Sequence, residues 1–209
     1  MSLDANLWFD IGVGISAVLS GLITGALFAK NRILCKQKQE IEEASINSKN
    51  SSFQNKHSSI HETLTTLRVR TGADKARIGH FHNGGKFLDG TPMKKFSMTH
   101  ESCERGVSYD GGNLQNILVT MFWDLIEVMR EDKARIFLTE EMNDGYFRSY
   151  LKSNGIVAYA ILPIMKQDLY IGFVELEWLD VEKLPKSDKL FESVFVQSKD
   201  YIELELAIR

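Results

Sequence analysis

The hydrophobic positions fall into blocks of different character along the chain. The first is an unbroken apolar run, Ile11 to Ala29, "IGVGISAVLSGLITGALFA", nineteen residues without a charge. Leu7, Trp8 and Phe9 precede it. A helix needs roughly 20 apolar residues to cross a bilayer, so residues 1–30 read as a transmembrane anchor. The second block, residues 31–58, is polar. "NRILCKQKQEIEEA" continues as a polar helix, and Ser45 to Ser59, rich in Ser, Asn and Lys, lacks the apolar surface to pack and reads as a flexible linker.

From Ser59 to Arg209 the pattern is that of a folded domain. Ser59 can cap a helix whose stripe is Ile60, Leu64, Leu67 and Val69. Arg77–His82 and the alternating Phe96–Cys103 read as strands. "GGNLQNILVTMFWDLIEVMRED" places Leu114, Ile117, Leu118, Met121, Phe122, Leu125 and Val128 on one helical face. "ARIFL" is a short strand. "NDGYFRSYLKSNG" is a helix with Asn143 or Asp144 near its start and Gly155 as a left-handed stop. Two apolar strands around "KQD" form a hairpin. Its first strand, Ile156–Leu162, is apolar on both faces and is expected to be covered on both. Pro163 is expected at that strand's end, and Glu175 and Glu177 are expected to put part of the second strand in water. A closing helix carries Leu190, Phe191, Val194, Phe195, Tyr201 and Ile202 inward. The order predicts an α+β fold, an antiparallel sheet with helices packed on one face.

Charge adds topology. No Lys or Arg precedes the apolar run, which Asp4 and Asp10 flank, whereas Lys30, Arg32, Lys36 and Lys38 follow it. The positive-inside rule then puts the N-terminus outside and the C-terminal domain in the cytoplasm; a cleaved signal peptide would carry a basic start and a shorter core. Gly21 and Gly25 form a G-x-x-x-G pair suited to close helix approach, so a homodimer through them and the terminal helices is expected. The net charge of -3 offers no basic face for nucleic acid. Two cysteines, Cys35 and Cys103, exclude a disulfide scaffold and a Cys-rich zinc site.

The C-terminal third, "YLKSNGIVAYAILPIMKQDLYIGFVELEW" followed by a long helix, resembles the GAF domain family. Gly155, Ile156, Ala158, Ile161, Pro163, Ile171, Gly172 and Val174 stand where the family pattern has its characteristic residues, and "ADKARIGHF" matches its opening strand. The resemblance covers about Ser59 to Arg209. It implies a GAF/PAS-like sheet that binds a small molecule over one face or mediates dimerisation. The N-K-x-F-D-E pattern of cyclic-nucleotide-binding members is absent, and no cysteine stands where a bilin would attach, so the resemblance carries over no ligand and no cofactor. "FHNGG" with the later "S-x-T-x-E-S" is also similar to small GAF-like proteins of phages and bacteria.

The candidate chemistry centres on "HFHNGGKF". Strand alternation puts Ile78, His80 and His82 on one face and Phe81 on the other, and Asn83-Gly84-Gly85 is a turn signal. His80, His82, Asn83, His100 and Glu101 are the candidate ligand-binding residues. Three readings stay open for them. They can line a pocket for a polar small molecule, bond structurally across the sheet, or, for His80, His82 and His100 or Glu101, hold a metal. His100 and Glu101 point to opposite faces of their strand, which weighs against the metal, and no metal is assigned. His57 and His61 read as solvated. No nucleophile, base and orienter come together, so the chain is not expected to be an enzyme. The expectation is a single-pass, membrane-anchored, cytoplasmic GAF-like sensory or ligand-binding module without its own effector domain. The alternative is a membrane-tethered adaptor, such as a phage accessory protein, with a protein partner and no small-molecule ligand.

Overall fold

The computed structural model describes residues 5–86, 92–131 and 133–207, with side chains from Lys30 onward apart from those of residues 33, 48, 49, 86, 92 and 93. The chain divides into two units, Met1–Gln54 and Asn55–Arg209. Helix α1 runs from Ala5 to Thr71. Within the first unit every described side chain of that helix is exposed. The expected flexible linker, Ser45–Ser59, is helical; those of its serines and asparagines whose side chains are described lie on helix surface, where they can be hydrated without leaving the helix. The apolar run Ile11–Ala29, with Gly21 and Gly25, lies outside the described side chains. Among the described residues no helix is long and apolar enough to cross a membrane.

The second unit is built on a curled antiparallel sheet in the order β3-β2-β1-β6-β5-β4. Its strands are β1 (Lys75–Lys86), β2 (Pro92–Cys103), β3 (Ile117–Leu118), β4 (Phe137–Leu138), β5 (Ala158–Lys166) and β6 (Leu169–Trp178). Helices α2 (Trp123–Arg130), α3 (Tyr146–Ser153) and α4 (Asp188–Ala207) complete it. Period-two alternation gives the sheet two apolar faces. Ala76, Ile78, Ala160, Val174, Leu176 and Trp178 meet Ile60, Leu64 and Leu67 of α1 and Phe191, Val194, Phe195 and Ile202 of α4. On the other face Phe96, Tyr159, Ile161 and Phe173 meet Leu114, Phe122, Leu125, Met129, Phe147 and Leu151. Helices therefore pack on both faces, not one. The sequence order of elements does not distinguish the two arrangements, because each helix has one apolar stripe whichever side it covers.

Local chemistry explains where the elements end. The β5–β6 turn is Gln167-Asp168 with φ of 49° and 60°, the left-handed pair of a two-residue hairpin whose twist matches the strands. Gly155, φ 68°, follows α3 as expected. The long helix expected over 111–132 is broken: Asn116 sits at φ 58°, Ile117 and Leu118 pair with Phe96 and Lys95 of β2, and the α-helix begins only at Trp123. Pro163 lies inside β5, opposite Phe173. That is tolerated because β4 covers only Ala158 and Tyr159, leaving the outer edge beyond them without a ladder to break. Val69, Leu190 and Tyr201, expected inward, are exposed.

A tight backbone approach in the sheet falls at a glycine of the family-like pattern. His80 of β1 pairs with Gly172 of β6, and a Cβ on Gly172 would stand 2.4 Å from the Gly79 carbonyl oxygen and 3.0 Å from the His80 ring. Backbone cannot move aside as a flexible side chain does. Gly172→Ala is expected to cost about 1–3 kcal/mol by overpacking, read as a lower urea midpoint, with loss of amide-exchange protection centred on the β1–β6 ladder.

Candidate functional site

Alternation along β1 sends Lys75, Arg77, Gly79 and Phe81 to the face opposite α1 and α4. The same alternation brings Phe173, Glu175 and Glu177 of β6 and Tyr159 of β5 there. Arg77 lies opposite Glu175 and diagonal to Glu177. Its Nε donates to Glu175 Oε1 at 2.6 Å, its Nη1 to Asp110 Oδ1 at 2.7 Å, and its Nη2 to Glu177 Oε1. Lys75 Nζ donates to Asp110 Oδ2 at 2.7 Å, and the Tyr159 hydroxyl donates to Glu175 Oε2 at 2.5 Å. Asp110 is set by Glu101, whose carboxylate accepts from the Asp110 and Gly111 amides at 3.2 and 2.9 Å.

Arg77, Glu175 and Glu177 are 1%, 3% and 1% exposed, so this is an ionic cluster inside the domain. Glu175 and Glu177, expected in water, are covered by residues 110–122 and α3. Glu177 Oε2 has no hydrogen-bond partner, and an unpaired buried polar atom is costly. Burial, reinforced by Glu175 against the pull of Arg77, pushes the Glu177 carboxyl up to about 8. Burial also raises Tyr159, reinforced by Glu175, and Tyr150, while the surrounding carboxylates hold Arg77 protonated against its own desolvation. Cys103, at the rim, has its thiol pushed up to about 12 by burial and Glu101, which disfavours the thiolate that nucleophilic attack requires.

A pocket of about 10 Å³ lies directly against the cluster, among Arg77, Glu175, Glu177, Tyr150 and Tyr159. That is room for about one water-sized group. Outside it a cleft of about 250 Å³ runs between Asp110, Asn113, Ile117, Met121, Tyr146 and Asn154. Leu114, Phe122 and Tyr150 line both. Tyr150 is half-buried and is the exposed part of that shared wall.

The five residues singled out from sequence do not share a site. Glu101 is on the ionic face. His80, His82 and His100 are on the α1 face, and Asn83 is exposed near the end of β1. His82 Nε2 bonds Ser97 Oγ at 2.8 Å. His57, expected to be solvated, is stacked on His100 with ring centroids 5.0 Å apart and Nδ1 2.8 Å from His100 Nε2. His80 Nε2 is buried without a partner. Burial, aided by His57, His80 and His61, brings His100 down to about 4, and burial likewise lowers His80. Among the described residues no group of three or more His, Cys, Asp or Glu is placed to hold a metal ion. The polar residues missed from sequence are Arg77, Asp110, Tyr159, Glu175 and Glu177. A readable signal for three of them existed: Lys75-x-Arg77 and Glu175-x-Glu177 are opposite charges in period two, inside two strands that are otherwise largely apolar.

Stability should follow these shifts. Glu177, raised in the fold, contributes stability that is present below its ordinary value near 4.5 and is lost as pH rises through about 8. His100, lowered, contributes stability present above its ordinary 6.5 and lost as pH falls through about 4. Between 6.5 and 8 the Glu177 effect stands alone of the two. The domain Tm is therefore expected to fall over that range, and Glu177→Gln to flatten the fall, in melts of wild type and variant across pH.

Solved structures similar to this chain are GAF domains. The chromophore-binding domain of the Stigmatella aurantiaca bacteriophytochrome aligns with TM-score 0.53 and 12% identity over 78% of this chain; the chain spans 60% of that structure. The phycoerythrobilin-bound GAF domain of a cyanobacterial phytochrome aligns with TM-score 0.51 and 16% identity, over 76% of this chain and 94% of that one. The GAF domain region of a putative membrane protein from Geobacter sulfurreducens PCA aligns with TM-score 0.51 and 12% identity, over 78% and 99%. No protein-family model matches the sequence, and no curated protein matches it. At these identities the likeness is one of fold: the sheet and its helices have the GAF architecture.

Proposed function

We propose that residues 55–209 form a small-molecule-binding, sensory GAF-like module, its ligand entering the cleft between residues 110–122 and α3. The observation that carries this is the cleft of about 250 Å³, lined by Asp110 and sharing the wall Leu114, Phe122 and Tyr150 with the inner pocket of a buried ionic cluster in which one carboxylate oxygen has no partner. An apolar concavity with a few convergent polar groups is the usual form of a ligand site. The cyanobacterial neighbour is described as bilin-bound, which supports a ligand-holding use of the fold. The cleft here lies below the roughly 300–1,000 Å³ of common ligand pockets, so its ligand is smaller than a linear tetrapyrrole. The site is read as binding rather than catalytic, because Asp110 and Glu175 are already engaged by Lys75, Arg77 and Tyr159. The uncharged run Ile11–Ala29 and the basic flank after it support a single-pass anchor with the module in the cytoplasm, as does the putative membrane protein among the neighbours.

The test is native mass spectrometry of the full chain released from detergent, with and without Ile117→Trp, which fills the cleft. A bound small molecule lost in the variant is the expected result; an empty wild-type protein across hosts and growth conditions counts against the reading. Protease treatment of right-side-out cells tests the topology: digestion of the module from outside would reverse it. A second reading, an interaction adaptor, has its own support in α4, where Leu190, Tyr201 and Leu204 are exposed at near-heptad spacing. It predicts a concentration-dependent dimer that Leu204→Lys dissociates, measured by light scattering.

A further inference from the structure

We infer that this cleft, if it is the ligand site proposed above, takes a small primary organic amine, its ammonium group in the inner pocket beside Glu177 and its apolar body in the outer cleft. Three observations point to that class.

The first is the inventory of unused bonding capacity. Arg77 spends its Nε, Nη1 and Nη2 on Glu175, Asp110 and Glu177. Lys75 is bound to Asp110, and the Tyr159 hydroxyl is bound to Glu175. These donors are taken, whereas Glu177 Oε2, in a residue 1% exposed, is an acceptor with nothing to accept from. A ligand that completes the site with Glu177 ionised therefore brings a donor. An anion would meet only occupied donors and a carboxylate.

The second is charge. The cluster sets two bases, Lys75 and Arg77, against three acids, Asp110, Glu175 and Glu177, with Glu101 of β2 at the rim. The acids are in excess by one even without Glu101. At neutral pH the protein balances this with a proton, because Glu177 titrates near 8. An ammonium group supplies the same charge together with N–H donors.

The third is shape and lining. The inner pocket, about 10 Å³, fits one ammonium-sized group and little more. Its wall includes Phe122, Phe147, Tyr150 and Tyr159, and aromatic rings around a cation add favourable quadrupole attraction. The outer cleft is mixed, with Ile117, Met121 and Tyr146 beside Asp110 and two asparagines, which suits a short apolar body. A ligand that spans both spaces has to displace Tyr150, the half-buried part of the wall common to them.

Because the amine takes the place of a proton on Glu177, binding and deprotonation are linked. The groups facing Glu177 are Lys75 and Arg77 of β1, Glu175 of β6, Tyr159 of β5, Tyr150 of α3 and Asp110. Of these, Glu177 is the carboxyl that burial pushes up to about 8.

The test uses the full chain in detergent micelles and three probes of one size: benzylamine, benzyl alcohol and benzoate. Affinities are measured by isothermal titration from pH 6 to 8, where benzylamine stays protonated. Benzylamine is expected to bind at least about tenfold more tightly than benzyl alcohol at pH 8, benzoate more weakly than either. Its affinity should rise about tenfold per pH unit below 8, the slope for one displaced proton. The heat should vary with buffer ionisation enthalpy as that proton is released. Glu177→Gln should abolish the pH slope and the preference for the amine, and Asp110→Asn should reduce the preference. If Glu177→Gln fails to fold, the buffer dependence of the wild type decides alone. A neutral probe that binds best, and more weakly as pH rises, would show Glu177 donating its proton to an acceptor. That result, or preferred benzoate, overturns the amine class, and if Ile117→Trp blocks that binding the cleft reading stands. No binding of any probe at millimolar concentration to folded protein overturns both.

Discussion

Arg77→Met is expected to destabilise the Asn55–Arg209 unit by about 3–5 kcal/mol, the usual cost of stripping one partner from a buried charge cluster. Arg77 is the hub: three carboxylates, from Asp110, Glu175 and Glu177, converge on one guanidinium that is 1% exposed. Without it, carboxylates that are 3% and 1% exposed stand side by side on one face of β6 with Lys75, already bound to Asp110, as the remaining base of the cluster. The remaining buried charge then has to be accommodated beside Glu177, whose own carboxyl burial already pushes up to about 8, by further protonation or by admitted water, and either costs free energy. Methionine fills similar volume, so the loss reports charge and hydrogen bonding more than a cavity. A domain is held by about 5–15 kcal/mol, and at about 2–4 °C per kcal/mol for a unit of this size the variant should melt about 6–20 °C early or fail to fold. Arg77→Met combined with Glu175→Gln and Glu177→Gln should recover most of the loss, since replacing a whole buried ionic set is far less costly than breaking it. Urea unfolding followed by near-ultraviolet circular dichroism measures both. A single-variant loss under about 1 kcal/mol, the level of a surface pair, would mean that the cluster is hydrated.

The same cluster shows why the site was less legible than the fold. The hairpin, the closing helix, Gly155 and the doubly covered strand at Ala158–Leu162 follow from local chemistry: a two-residue turn, a 3.6-residue stripe, a left-handed glycine, a run without a polar face. Each is set by residues within one element. Helix placement is not, so the sheet carries helices on both faces where one was expected. Asn116 and the pairing of Ile117 with Phe96 of β2 broke a helical stripe that was sound on its own; tertiary pairing outweighs propensity in such a segment. Glu175 and Glu177 were assigned to water by the rule that charges avoid interiors. The exception to that rule is a pairing across strands nearly 100 residues apart in sequence, and one strand alone cannot announce its partner. The histidines drew attention because they are rare and chemically versatile. The His100 ring meets α1 through His57, His82 bonds Ser97 of β2 on the same face, and the cleft opens on the other side of the sheet.

Trp178→Ala is expected to cost a further about 3–5 kcal/mol, and its reach is across the helical face. Trp178 is 0% exposed at the end of β6. Its Nε1 donates to the Thr71 carbonyl, 3.3 Å away at the last residue of α1. Its ring meets Phe191 of α4 at 61° with centroids 6.0 Å apart. One indole thus ties the sheet to both helices that cover this face. Truncation to alanine loses the transfer energy of the ring and leaves a cavity that helices anchored elsewhere, by Leu64, Leu67, Phe195 and Ile202, can fill only in part. Trp178→Phe keeps most of the packing and loses the hydrogen bond, for an expected cost of about 1–2 kcal/mol. The two variants separate packing from bonding, and exchange protection separates local from global effects. In Trp178→Ala, amides of 60–71 and of the first turns of α4 should lose protection before those of the β1–β6 ladder do. If all amides lose protection together, the helical face and the sheet unfold as one cooperative body. The cleft would then be destabilised by a change on the opposite face of the sheet.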